Sequence, residues 1–149
     1  MLESTEIKIK EILKSFRDRT GVVYTVLYDS DGLIITVDQA SYIQKNDSHQ
    51  AISAIFASLF SLAESGTNTI KDDNNVKNLT IQVGSNVDPD GFTIILHAVN
   101  RDIILTSIFP TSLNLAVILF ELNQITQKLS NFLEQYEEQD VNSRVELFT

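Results

Sequence analysis

The run Ala51-Ile52-Ser53-Ala54-Ile55-Phe56-Ala57-Ser58-Leu59-Phe60-Ser61-Leu62-Ala63 contains no charged residue. Its apolar positions recur at helical spacing, and Asp47 or Ser48 stands where an N-cap belongs, so a helix is predicted over about Ser48 to Glu64. Two stripes run along it. Ile52, Ile55, Phe56, Leu59, Leu62 and Ala63 form a broad apolar one. Ala51, Ala54, Ser58, Ser61 and Ser65 form a second, all small, spaced 3, 4, 3 and 4. A helix on the surface of a monomer carries a polar, usually charged, outer face. This one does not, so both its sides are expected to be covered. Small residues in such a repeat let two helix backbones approach closely. A core helix inside a monomer is the competing reading, but a domain this small has little material left for the second face.

Upstream, apolar residues at 9, 12, 13 and 16 predict a first helix. Lys14, Arg17 and Arg19 sit at its end, where cations suit the helix dipole, and Gly21 is placed for a left-handed cap. Two β-rich runs, Val22 to Tyr28 and Leu33 to Val37, flank Asp29-Ser30-Asp31-Gly32, a strong hairpin signal. Downstream of the central helix, Thr67 to Lys77 reads as a polar loop. Strands are predicted over Asn78 to Gly84 or Ser85, Phe92 to Val99 and Asp102 to Phe109, with Pro110 stopping the last. Thr111 or Ser112 is then positioned to cap a long helix with apolar residues at 115, 118, 119, 122, 125, 129, 132, 133 and 136. The resulting order is α-β-β-α-β-β-β-α, an α+β class with a five-stranded antiparallel sheet flanked by helices. Residues 1–136 read as one domain and 137–149 as an acidic, frayed tail.

The 149 residues are one domain's worth, with enough chain to bury a core without a staple. There is no cysteine, which excludes disulfides, thiolate zinc sites and cysteine nucleophiles. Eleven basic against twenty acidic residues give a net charge of −9, which disfavours nucleic acid and anionic membrane surfaces. The N-terminus lacks the basic and then apolar regions of a signal peptide. The uncharged stretch Ile103 to Phe120 is broken by Pro110 and diluted by hydroxyl side chains, so no membrane insertion is expected and a cytoplasmic location is.

Catalytic chemistry is mostly missing. His49 and His97 stand 48 residues apart and read as ordinary helix-start and strand positions, so no metal site is expected. No phosphate-cradling glycine motif or nucleophile elbow occurs. Asn86-x-Asp88-x-Asp90-Gly91 copies the opening of a calcium loop, but His97 stands where the bidentate glutamate belongs. It is more simply a turn, as is Asp29-x-Asp31-Gly32. No nucleophile, base and orienting group can be assembled into a set, so neither enzyme activity nor a cofactor is expected.

The order of elements and several strings together resemble the Roadblock / dynein light-chain domain family. Gly21 to Ile35 looks like its first hairpin, the Ala/Ser-rich second helix like its central helix, and Thr111-Ser112-Leu113-Asn114-Leu115-Ala116 like its entry into the last helix. Ala116 stands where the family usually has glycine. The resemblance implies a profilin-like fold and a homodimer, in which Ala51, Ala54, Ser58, Ser61 and Ser65 pair the central helices, while the strand holding Thr80 and Gln82 pairs with its twin. It further implies a non-catalytic platform that binds a small Ras-like GTPase, as regulator or scaffold. By the same analogy the GTPase is expected on Ser53, Ala57, Phe60 and Glu64, with Phe60 exposed. No arginine stands out as a catalytic finger, although Arg17, Arg19 and Arg101 are present. A dynein-light-chain-type subunit and a small-molecule-sensing profilin-like module are the alternatives.

Overall fold

The computed structural model describes residues 3–41, 48–73, 75–84 and 90–148, with side chains as far as Gln135. The elements run α1 (Glu3–Thr20), β1 (Tyr24–Asp29), β2 (Ile34–Gln39), α2 (His49–Asn68), β3 (Asn78–Val83), β4 (Phe92–Ala98), β5 (Ile103–Pro110) and α3 (Leu115–Phe148). This is the predicted order. The five strands form one antiparallel sheet in the order β2-β1-β5-β4-β3.

Local chemistry accounts for the joints. Gly21 adopts φ +84°, and its N–H donates to the Arg17 carbonyl at 3.0 Å, closing α1 with a left-handed residue. In the β1–β2 turn the Asp29 carboxylate accepts from the backbone N–H of Asp31 and of Leu33, both at 2.9 Å, while Gly32 takes φ +85°. Arg17 reaches from α1 to Asp38 on β2 with an Nε–Oδ2 distance of 2.8 Å.

Alternation along the strands sends side chains to two separate cores. On one face α1 and α3 enclose Ile9, Leu13, Phe16, Leu27, Ile95, Leu105, Phe109, Leu122 and Ile125. On the other, α2 alone covers Tyr24, Val26, Tyr28, Ile94, Leu96 and Ile104. Two helices guard one side of the sheet and a single helix the other.

Several expected boundaries are corrected. Asn114, not Thr111 or Ser112, caps α3: its Oδ1 accepts from the N–H of Ala116 at 3.0 Å and of Val117 at 3.4 Å. Pro110 closes β5 opposite Phe92 and the chain turns once more before the helix begins. α2 runs through Gly66 to Asn68, because a glycine without positive φ only weakens a helix. α3 continues to Phe148 through the acidic segment expected to fray, since no Gly or Pro occurs from Leu115 onward to stop it. The candidate cap Asp47, Ser85 at the end of the third predicted strand, and positions 86–89 of the calcium-like turn lie outside the described residues.

Gly32 packs directly under α2. A Cβ there would stand 2.7 Å from the Ala54 Cα and 3.1 Å from its nitrogen, both backbone atoms that have nowhere to go. Gly32→Ala should therefore cost about 2 kcal/mol or more, through clash and positive φ together. At Gly66 nothing lies within 4 Å of the same atom, so Gly66→Ala should be neutral or stabilising by up to about 1 kcal/mol. Urea unfolding of the two variants checks both.

Candidate functional site

The close approach at Gly32 sets the rotation of α2 about its axis. Ser53 donates its hydroxyl to the Gly32 carbonyl at 2.7 Å, and the Gln50 amide donates to the same oxygen at 2.7 Å. The backbone of Ser53 and Ala54 meets the turn, and Ala57 and Phe60 pack on the sheet farther along the helix. Tyr24 adds a second anchor at the helix start, stacking on His49 with ring centroids 5.5 Å apart, its hydroxyl 2.7 Å from Nδ1.

This rotation corrects the expectation for the partner-binding stripe. Ser53 is 0% exposed, and Ala57 and Phe60 are each 4% exposed. They form the helix's contact with its own sheet and present nothing to a partner. Glu64 alone of that set reaches solvent, half-buried in a groove it shares with Val76, Lys77 and Arg101. The broad apolar stripe is split: Ile52 and Phe56 are half-buried, whereas Ile55 is 65% exposed and Leu62 69%. The small residues Ala51, Ala54, Ser58, Ser61 and Ser65 are all exposed. The outward face of α2 thus combines a shallow small-residue track with three large apolar side chains, Ile55, Leu59 and Leu62. Burying Ile55 and Leu62 alone is worth about 2 kcal/mol each.

β3 lies at an edge of the sheet and hydrogen-bonds to β4 on one side only. Leu79 and Ile81 lean toward the α2 core, while Thr80 and Gln82 stand exposed on the α3 side. An edge of this length is a ready template for another strand. The described residues contain no group of three or more His, Asp or Glu able to hold a metal ion, and no helix long and apolar enough to cross a membrane.

A family model, that of the Roadblock/LC7 domain, matches residues 8–109, from α1 through most of β5. No curated protein sequence gives a match. Among solved structures the chain is similar to the gliding protein MglB of Thermus thermophilus, with a TM-score of 0.78 and 12% identity over 91% of this chain and 95% of that one. It is similar also to MglB in a tetrameric arrangement, with a TM-score of 0.77 and 12% identity over 91% and 94% of the two chains. Myxococcus xanthus MglB follows with a TM-score of 0.72 and 15% identity over 86% and 96%. At such identities these likenesses speak for the fold alone.

The α2 core holds two phenols whose ionisation burial opposes. Tyr24 and Tyr28 are each pushed from 10.0 up to about 12 by burial, with a hydrogen bond to Thr106 at 2.6 Å acting the other way on Tyr28. A group whose folded pKa lies above its unfolded one contributes stability that is complete below the unfolded value and disappears as pH rises. Stability should therefore hold up to about pH 10 and fall between about pH 10 and 12. Tyr28→Phe should flatten that decline in urea melts followed by circular dichroism.

Proposed function

The chain belongs to the Roadblock/LC7 domain family, and from that membership we propose that it works as a non-catalytic homodimeric platform that binds a small Ras-like GTPase and regulates or scaffolds it. The observation that carries this reading is the outward face of α2: uncharged from Ala51 to Ala63, yet open to water at Ile55, Leu59 and Leu62. No solitary chain gains by leaving that surface wet. Pairing two α2 helices along Ala51, Ala54, Ser58, Ser61 and Ser65 would dry it, because small residues allow close backbone approach. Pairing β3 with its twin, with Thr80 and Gln82 flanking the seam, would close the sheet edge in the same step and give an interface of standard size or larger.

The GTPase is proposed to dock on the surface that such pairing creates. Ser53, Ala57 and Phe60 act beneath it by holding α2 in register, and Glu64 stands at its rim. Catalytic groups for hydrolysis would come from the GTPase, its switch residues positioned by the platform.

Ile55→Asp combined with Leu62→Asp should leave helix content unchanged, since neither side chain belongs to the core, while converting a dimer into a monomer on light scattering. Nucleotide-dependent capture of small GTPases should be lost in the same variant. A wild-type chain that is monomeric at about tens of micromolar, or a variant that captures the GTPase undiminished, would defeat the proposal.

A further inference from the structure

We propose that the crevice between α1 and α3, on the sheet face opposite α2, receives the acidic C-terminal extension of α3 from a second copy of the chain. The two helices run antiparallel there. The Lys8 ammonium lies over the Phe132 ring, 5.4 Å from its centroid, and at the other end Arg19 reaches Glu121 at 3.3 Å. The crevice between them measures about 330 Å³.

Its chemistry is that of a seat for an acidic helix. Ile12, Ile125 and Phe132 make an apolar floor, with Ile125 buried and the other two half-buried. Lys8, Lys128 and Arg19 stand exposed along the walls, and Glu11 is the only carboxylate among the described lining residues. Arg19 already shares its charge with Glu121, whereas Lys8 and Lys128 make no ion pair among the described residues. In a chain of net charge −9, cations outnumber acids here. Charges in contact with water add little affinity by themselves, but they select a partner by its sign. The lysine stems can cover apolar side chains while their heads meet carboxylates at the rim.

The matching segment stands at the far end of the same helix. Leu133 is the last buried residue of α3 among those whose side chains are described. α1 begins at Glu3, five residues before Lys8, and five residues beyond Phe132 is Glu137. Past that level α3 runs on to Phe148, about 16 Å of helix with no α1 beside it. In sequence the extension holds Glu134, Glu137, Glu138, Asp140 and Glu146 against Arg144 alone, and Val141, Val145 and Phe148 recur at helical spacing. Its charge is opposite to that of the crevice, and its apolar stripe calls for a floor of the kind that Ile12, Ile125 and Phe132 provide. A continuous helix carries the segment away from the crevice of its own chain, so the crevice it fills belongs to another copy. Reciprocal exchange about a two-fold axis satisfies both extensions at once. The contact lies across the sheet from α2 and is independent of the pairing proposed for that helix.

The test uses the full chain carrying Ile55→Asp and Leu62→Asp, so that it reads this contact whatever becomes of α2 pairing. Exposed charge pairs are weak, so this parent chain should self-associate only above about 100 µM at low salt, and should cease to do so in about 0.5 M NaCl. Lys8→Glu with Lys128→Glu reverses the crevice, and Glu137→Lys with Glu138→Lys reverses the extension. Each pair of changes should weaken association, followed by sedimentation equilibrium, by roughly tenfold with helix content unchanged. An equimolar mixture of the two reversed chains should recover it, because each crevice then meets an extension of opposite sign. A parent chain that stays monomeric at about 1 mM, or a mixture no tighter than its components, would overturn the proposal. So would a loss confined to the extension variant, which would show the extensions pairing with each other rather than with the crevice.

Discussion

The contact between the Gly32 turn and the second turn of α2 governs the rest of the molecule. A glycine carbonyl receives both Ser53 and Gln50, and its missing side chain lets Ala54 come within van der Waals reach of the strand connection. A helix that lies against a turn at this distance has one permissible rotation, the one that turns Ser53, Ala57 and Phe60 inward. Everything about the outer surface follows. With Ser53, Ala57 and Phe60 committed to the sheet, Ile55 and Leu62 are forced outward, and a face that satisfies no need of the single chain is left on display.

That contact also explains where the sequence could be read and where it could not. The hairpin around Asp29 and Gly32, the three consecutive strands and the long last helix were all legible, because turn chemistry and periodicity are local signals. The outward placement of Ala51, Ala54, Ser58, Ser61 and Ser65 was legible as well. Which of the remaining residues faces the sheet was not. Periodicity finds stripes but does not say which of two adjacent ones meets a glycine turn 21 residues upstream. The steric demand of the turn favoured serine and alanine, and Phe60 went inward with them.

The polar groove between β4 and α3, lined by Lys77, His97, Asn123, Gln127, Ser130 and Asn131, is not legible in the sequence for a different reason. His97 follows the apolar run Ile94-Ile95-Leu96 and reads as an ordinary strand position. The available signal lay elsewhere, in the uncharged polar stripe Asn123, Gln127, Ser130 and Asn131 that flanks the apolar seam of the last helix. Such a stripe looks like a solvated surface until the sheet register brings Lys77 and His97 across from it. The cap of that helix was misjudged by a few residues because Thr111, Ser112 and Asn114 are all competent cap residues, and only the descent of β5 through Pro110 decides among them.

Interleaving along α2 divides inheritance at this helix into two independent accounts. Positions 53, 57 and 60 are bound to the fold and tolerate little, whereas 51, 55, 58 and 62, one or two residues away, contribute almost nothing to enclosing the chain's own interior. Random change at the second set leaves a folded molecule with altered stickiness. A lineage carrying this scaffold can thus exchange one companion for another, or turn a self-pairing chain into half of a mismatched couple, without passing through an unfolded ancestor.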